Sequence, residues 1–458
     1  MKNSIRILAM FGLVAGMAMV GTVRAADTDT SMDNQGDASV QSSQDSVDDQ
    51  IEALRATLGA MTAQQNDFAK AFKNMVNLSG DIRFRYEANN WYTTPAVKSG
   101  ATVLQAGMAR TIDYERYRIR ARLVDTAKVN DFTTAVVRLT TESYLSGNAP
   151  YGQPNTANQT LNSYGDKDPV ALDKAYIDVA PQVVMLPVFI AGEQGMPFVV
   201  DGTNANLIFD DNLTDGGMSL GLTTPTLWGL DLRAVGADFI NEDGKAGFDG
   251  YTAVQHPMFE GEQAILDWNA APMGQTMGLS LAAANYTWHY IQFTNVFPQG
   301  SAGTYTNSVN NTTSDLLDYG YSLRDLLAVY NTVAMGAPLK AYYEYEYNKD
   351  LGKNNIGYVV GGEIASGDMI PWSKNEITLG YNYRRVDTDA VLGIWSDGDF
   401  DGGGTDAMGG KFYAKVMVGD NLWVSLQQYN DQGNLQAEAA GGHYSLFQRT
   451  QVDLNAKF

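Results

Sequence analysis

The sequence predicts an all-β fold: a transmembrane antiparallel β-barrel of about 16 strands, preceded by a short α-helical coiled-coil segment. Three observations predict it. The 458 residues combine 25 Tyr, 17 Phe and 7 Trp with 46 Gly and only 18% charged residues, a blend suited to strands and turns. Beyond residue 77, segment after segment alternates apolar and polar side chains with a period of two. After residue 25 no apolar run is long enough to form a spanning helix, so a membrane location requires a closed barrel.

Composition also excludes whole classes. The chain has no cysteine, which removes a disulfide scaffold, a thiol nucleophile, a zinc finger and a c-type haem attachment motif. Its 31 Lys and Arg against 52 Asp and Glu give a formal net charge of −21, the wrong balance for displacing phosphate counterions. No nucleic acid is therefore expected as a partner.

Residues 1–25 read as a secretory signal peptide. Lys2 and Arg6 form a basic leader, Ile7 to Val20 is apolar, and Val23-Arg24-Ala25 precedes the expected cleavage site. Residues 26–45 are rich in Asp, Ser, Gln and Thr, with too little apolar surface to offset the entropy of ordering, and read as a flexible acidic linker. In residues 46–76, Val47, Ile51, Leu54, Leu58, Met61, Gln65, Phe68, Phe72 and Met75 recur at alternating spacings of 4 and 3. That period predicts a coiled-coil stalk, with Gln65 as a polar a position that sets register and partner number. An amphipathic helix packed on its own domain is the alternative. Gly59 weakens the helix by about 1 kcal/mol, so contacts with other elements must hold it.

At Val76 the period becomes two, opening the barrel segment, residues 77–458. Leu78, Gly80, Ile82, Phe84 and Tyr86 alternate with Ser79, Asp81, Arg83, Arg85 and Glu87. Tyr117, Ile119, Ala121 and Leu123 alternate with Arg116, Arg118, Arg120 and Arg122, and the pattern returns around Ala135–Leu139, Leu230–Ala234, Leu339–Tyr347 and Ile377–Tyr383. A soluble β-solenoid or sandwich array could expose such a ladder of arginines to solvent. In a barrel, arginine on the lipid face costs about 2–4 kcal/mol at the midplane, so the ladder has to face a wet interior. The number of strands in one chain favours closure.

The final stretch, Gln451 to Phe458, alternates apolar side chains and ends on an aromatic. It resembles the signal that outer-membrane barrels present to the barrel assembly machinery, with Phe458 as the contact.

The run Leu78-Ser79-Gly80-Asp81-Ile82-Arg83-Phe84-Arg85-Tyr86-Glu87, then Glu115 to Leu123, Leu172 to Asp178, Gly192, and Phe209-Asp210-Asp211-Asn212-Leu213-Thr214 before Gly216-Gly217, resembles the bacterial "putative porin" family. The resemblance is clearest over residues 77–223. It implies a diffusion channel in the outer membrane of a diderm bacterium, in contact with outer-membrane lipid, with its stalk in the periplasm and a homotrimeric assembly. A structural tether to the cell wall, with a peptidoglycan contact, and the barrel sheath of an electron-conduit complex are alternatives.

In such a channel, lining charges set the field and an inward loop sets the width. The expected lining is a basic wall of Arg83, Arg85, Arg116, Arg118, Arg120, Arg122 and Arg138, opposed by an acidic wall of Glu344, Glu346 and Glu376. Long connections are expected at 88–109, 144–169, 293–320 and 387–407, all on one side, any of which could fold inward. The last carries Asp397-Gly398-Asp399-Phe400-Asp401-Gly402, the first half of a calcium loop. Position 12 is Met408, which lacks the bidentate ligand. Calcium at Asp397, Asp399 and Asp401 is the one cofactor expectation. The three histidines, His256, His289 and His443, stand in no catalytic motif, so no enzyme is expected.

Overall fold

A computed structural model describes residues 51–65, 75–93, 109–141, 158–161, 169–183, 185–198, 207–240, 258–270, 277–289, 320–367, 376–433, 435 and 445–458. The chain forms two compact units, Met1–Lys70 and Ala71–Phe458. The expected signal peptide and acidic linker lie outside the described residues. In the first unit the described part is one helix, α1, over residues 51–65. Its heptad residues Ile51, Leu54, Leu58 and Met61 are all exposed. A single helix does not form a coiled coil, so the pairing expected from the heptads is not shown.

In the second unit, one antiparallel sheet closes on itself. Its strands are β1 (Val76–Thr93), β2 (Ala109–Asn130), β3 (Thr133–Thr141), β4 (Gln159–Thr160), β5 (Val170–Val179), β6 (Val188–Gly195), β7 (Thr214–Thr223), β8 (Leu230–Ile240), β9 (Met258–Ala270), β10 (Met277–His289), β11 (Tyr321–Ala334), β12 (Ala337–Asn348), β13 (Ile356–Ala365), β14 (Ile377–Val386), β15 (Ala407–Gly419), β16 (Leu422–Gly433) and β17 (Ser445–Lys457). The two-residue β4 sits beside β2 at Arg118 and Ile119. The other 16 each pair with the next, and β17 returns to β1 from Asp81↔Lys457 to Thr93↔Ser445. Closure gives each of these 16 strands two neighbours, as a sheet that crosses a bilayer requires.

The two faces of this sheet are the reverse of a soluble protein's. Ile82, Phe84, Leu123, Leu379 and Tyr381 are exposed on the outside, and Tyr117 is 53% exposed, while inward Arg85 is 1% and Glu346 0% exposed. Apolar side chains on the open face and charges within are stable only if the outside meets hydrocarbon and the inside meets water or fixed partners.

Antiparallel alternation puts every connection that follows β1, β3, β6, β8, β10, β12, β14 and β16 at one end. The four long connections expected from the sequence therefore share a side. The first is shorter than expected, because β1 runs to Thr93 and β2 begins at Ala109. Asn89 continues the inward row there, donating to Glu87 Oε1 at 2.8 Å. At the opposite end Met335 and Gly336, with φ of 53° and 80°, make a tight two-residue link between β11 and β12.

The inner wall is not uniform. On β8 to β11 it carries a buried apolar patch of Phe239, Phe259, Ile265, Tyr286, Trp288, Leu323 and Leu327, with Gln263 and Asp325 buried in the same rows. Two segments fold inward onto it: residues 207–213 before β7, and the β14–β15 connection, in which Ala390, Val391, Leu392, Ile394, Trp395 and Phe400 are buried. The Trp395 ring lies 5.2 Å from that of Phe259 and 5.3 Å from that of Trp288. Gly261 on β9 leaves room for the Phe198 ring, which a Cβ would strike.

Candidate functional site

Register builds the charged half of the interior. Pairing of β1 with β2 sets Asp81 opposite Arg122, Arg83 opposite Arg120, Arg85 opposite Arg118 and Glu87 opposite Arg116. Pairing of β1 with β17 adds Asp453 opposite Arg85 and Gln451 opposite Glu87. The inward face thus carries a block of guanidiniums with three carboxylates set among them.

Most of these charges are neutralised by short contacts. Asp453 takes Arg85 bidentately, with Nε and Nη2 donating at 2.7 and 2.8 Å. Arg116 donates to Glu87 at 2.7 Å, and Arg118 lies 3.5 Å from its other oxygen. Asp81 takes Arg120 and Arg122 at 2.9 and 2.7 Å. Arg138 is paired with Asp173 on β5, away from this block.

The inward β14–β15 connection closes the arrangement from the other side. Asp399 accepts from Arg85 at 3.1 Å, from Arg449 at 2.9 Å and from Gln451 at 2.9 Å. Asp397 is held by Arg384 at 3.1 Å, and that guanidinium stacks 4.6 Å over the Phe400 ring. The chain reverses sharply at Asp401, Gly402, Gly403 and Gly404, all with positive φ; at Gly402 a side chain would also strike Trp91. The 207–213 segment is tied to this connection: Asp210 N donates to Trp395 O at 2.8 Å, and Gly398 N donates to Asp210 Oδ2 at 3.3 Å.

Two carboxyls on these inward segments are displaced in opposite directions. Burial opposes the charge on Asp399, but the guanidiniums of Arg85 and Arg449 outweigh it and hold the carboxyl well below its usual range. Burial, together with the negative charge of nearby Asp397, pushes Asp210 up to about 8. The side facing the arginines is thus held by one firmly ionised carboxylate and one that burial and a like-charged neighbour shift toward its neutral form.

Between wall and connection lies a cavity of ≈ 530 Å³, lined by eight basic side chains, among them Arg83, Arg85, Arg116, Arg118, Arg120 and Arg122. Asp210, Asp211, Asp397, Asp399 and Asp453 supply its acids, and Trp91, Tyr114, Trp423 and Tyr429 its aromatic surface.

The expected acidic wall stands elsewhere. Glu344 and Glu346 point inward from β12 but are buried away from the cavity, and Glu376 is exposed just before β14. In their place, acids from the two inward segments and from β17 face the arginines. The sequence does carry a signal for this: the apolar run Ala390-Val391-Leu392-Gly393-Ile394-Trp395, sitting inside an acidic connection, has no reason to be there unless it is buried. The contribution of Lys411 and Arg449 was missed because neither stands in a run of alternating charges: three uncharged residues separate Lys411 from Lys415 and Arg449 from Asp453.

The three aspartates expected as calcium ligands are engaged separately. Asp397 and Asp399 face arginines rather than each other, Asp401 donates its backbone N–H to Asp431 at 2.9 Å, and among the described residues no group of three or more acids, His or Cys is placed to hold a metal ion. His289 lies 3.0 Å from Glu260 on the neighbouring strand, with no nucleophile described beside it; His256 and His443 fall outside the described residues.

Comparison with known proteins agrees with this architecture. Among solved structures, Pseudomonas putida OprB superposes with a TM-score of 0.50 at 10% identity, over 85% of this chain and 96% of that one. A porin of Rhodopseudomonas blastica, seen as a triple mutant, gives 0.41 at 12% identity over 84% and 100%. Vibrio cholerae OmpT, as a loop-deletion mutant, gives 0.42 at 10% identity over 84% and 99%. No curated protein sequence matches the chain. A family model described as "Putative porin" matches residues 15–315 and 353–458, and the chain belongs to that family.

Proposed function

We propose that this protein is an outer-membrane porin, a water-filled channel through which small hydrophilic solutes and ions diffuse passively. The observation that carries this reading is a charged inner wall on β1, β2 and β17 facing an inward connection across an open cavity, inside a barrel whose outer surface is apolar. The basic wall and the Asp397–Asp399 segment impose a transverse field, so a permeating solute is oriented as well as sized. Arg83, Arg85, Arg116, Arg118, Arg120 and Arg122 are the lining residues of this reading; Arg138, Glu344, Glu346 and Glu376 are not.

The exposed seam of α1 supports assembly as a homotrimer through a periplasmic stalk, within reach of peptidoglycan. Phe458, whose backbone pairs with Gly80 at 3.0 and 3.1 Å, is the residue proposed to meet the assembly machinery. The test is single-channel recording of the full-length, detergent-extracted protein in a planar bilayer. Stepwise openings in groups of three are expected. Folded, inserted protein that carries no current would overturn the channel reading, and single openings only would overturn the trimer.

A further inference from the structure

We propose that the cavity binds a small oxyanion, the carboxylate or phosphate group of a passing solute, between Arg83 and Arg120. This rests on the channel reading and names the class of solute the channel selects. The two side chains are direct cross-strand partners on the inward face, and like charges set opposite one another are unfavourable unless something lies between them. Their neighbours do not supply it. Asp81 is shared between Arg120 and Arg122, so one carboxylate serves two guanidiniums. Arg83 donates to the Asn158 carboxamide and forms no ion pair among the described residues. Asp399 and Asp453 are engaged by Arg85 and Arg449.

A second, independent observation points to a ligand. The Nε–H groups of both Arg83 and Arg120 are buried and have no hydrogen-bond partner among the described residues. A buried guanidinium donor left empty is costly, and an oxyanion, which carries two or more acceptor oxygens on one centre, can accept from two such forks at once. Both side chains line the ≈ 530 Å³ cavity, a volume within the usual range for small-molecule sites. The surrounding field has the right sign: basic side chains outnumber acidic ones in the lining. A cation would be repelled from this corner, and a neutral sugar would leave both charges uncompensated.

The experiment is single-channel recording in potassium chloride with inorganic phosphate added as the probe, and glucose as a neutral control. Equilibrium dialysis of labelled phosphate against the same detergent-solubilised full chain runs in parallel. Wild-type protein should show chloride current reduced by phosphate and not by glucose. Arg83→Gln and Arg120→Gln should each raise the half-blocking concentration about tenfold, the loss of one charge-assisted contact. Arg138→Gln, whose residue lies off the cavity, should leave block unchanged. Current that phosphate does not reduce, or equal block in Arg83→Gln, overturns the site while leaving the channel intact. If the protein inserts and does not conduct, the channel reading fails, and dialysis decides the site alone: binding lost in Arg83→Gln upholds it, and no binding overturns it.

Discussion

The inner wall of the barrel has two halves that solve the same problem differently. On β8 to β11 many of the inward residues are aromatic and aliphatic, and the space these face is filled by the chain's own Leu207, Ile208, Leu392 and Trp395. On β1, β2 and β17 they are arginines and carboxylates, and the space in front of them stays open. An apolar wall cannot face water cheaply and so recruits a lid from its own loops. A charged wall keeps its water, with paired charges holding its shape. The inward β14–β15 connection bridges the two: Trp395 anchors it in grease and Asp399 ties it to the arginines. In the channel proposed above, the apolar half would set the width of the passage and the charged half its selectivity.

Removing the greasy anchor should have the largest effect. Trp395→Ala deletes a buried aromatic side chain, a loss of about 3–5 kcal/mol in seating. The connection should then lift from β9 and β10, seen as a higher open-channel conductance and new protease cleavage between residues 387 and 406, with the barrel still folded. Unchanged conductance would mean that the charged contacts alone position it.

The next test sharpens the contrast between outside and inside on one strand. Leu123→Arg places a guanidinium on the lipid side of β2, at a cost of about 2–4 kcal/mol near the midplane. Arg122→Gln, one residue away and facing inward, removes one of the two partners of Asp81, a part-buried contact worth about 1 kcal/mol. The folded fraction on unheated gels should fall for the first and hold for the second. Equal tolerance would contradict the assignment of faces.

The smallest effect is a pH dependence of the bridge itself. The Asp210 carboxyl sits at about 8 here, above its ordinary value of 3.8, so the folded state holds a proton that the unfolded chain has released. Its stabilising contribution is complete below the ordinary carboxylate range and is lost as pH rises through about 8. Current fluctuations should increase above that pH and be flattened in Asp210→Asn. Asp399, displaced downward, acts in the opposite sense, and its contribution is lost only in strong acid.

The barrel was legible because period-two alternation is local: Arg116 to Arg122 and Tyr117 to Leu123 declare their faces within one strand. The arginine block was legible for the same reason. The acidic counterpart was not, because whether an inward carboxylate reaches open space depends on what covers it. Glu344 and Glu346 follow the same strand pattern as the arginines, yet lie buried beyond the cavity. Asp210 and Asp397 belong to segments 187 residues apart in sequence whose meeting nothing local announces. The clue that was available lay in β10 and β11, where Leu327, Val329 and Tyr286 make the inward face apolar as well. A strand apolar on both faces, in a barrel, signals that something packs inside.

The Arg85–Asp453 contact joins residues 368 apart, across the seam where β1 meets β17. Side chains alternate faces along a strand, so sliding the seam by one residue would require Arg85 to lose Asp453 or turn toward lipid. The pair that shapes the passage therefore also proofreads the circle: a ring closed out of step strands a charge in oil, and only the aligned ring is quiet.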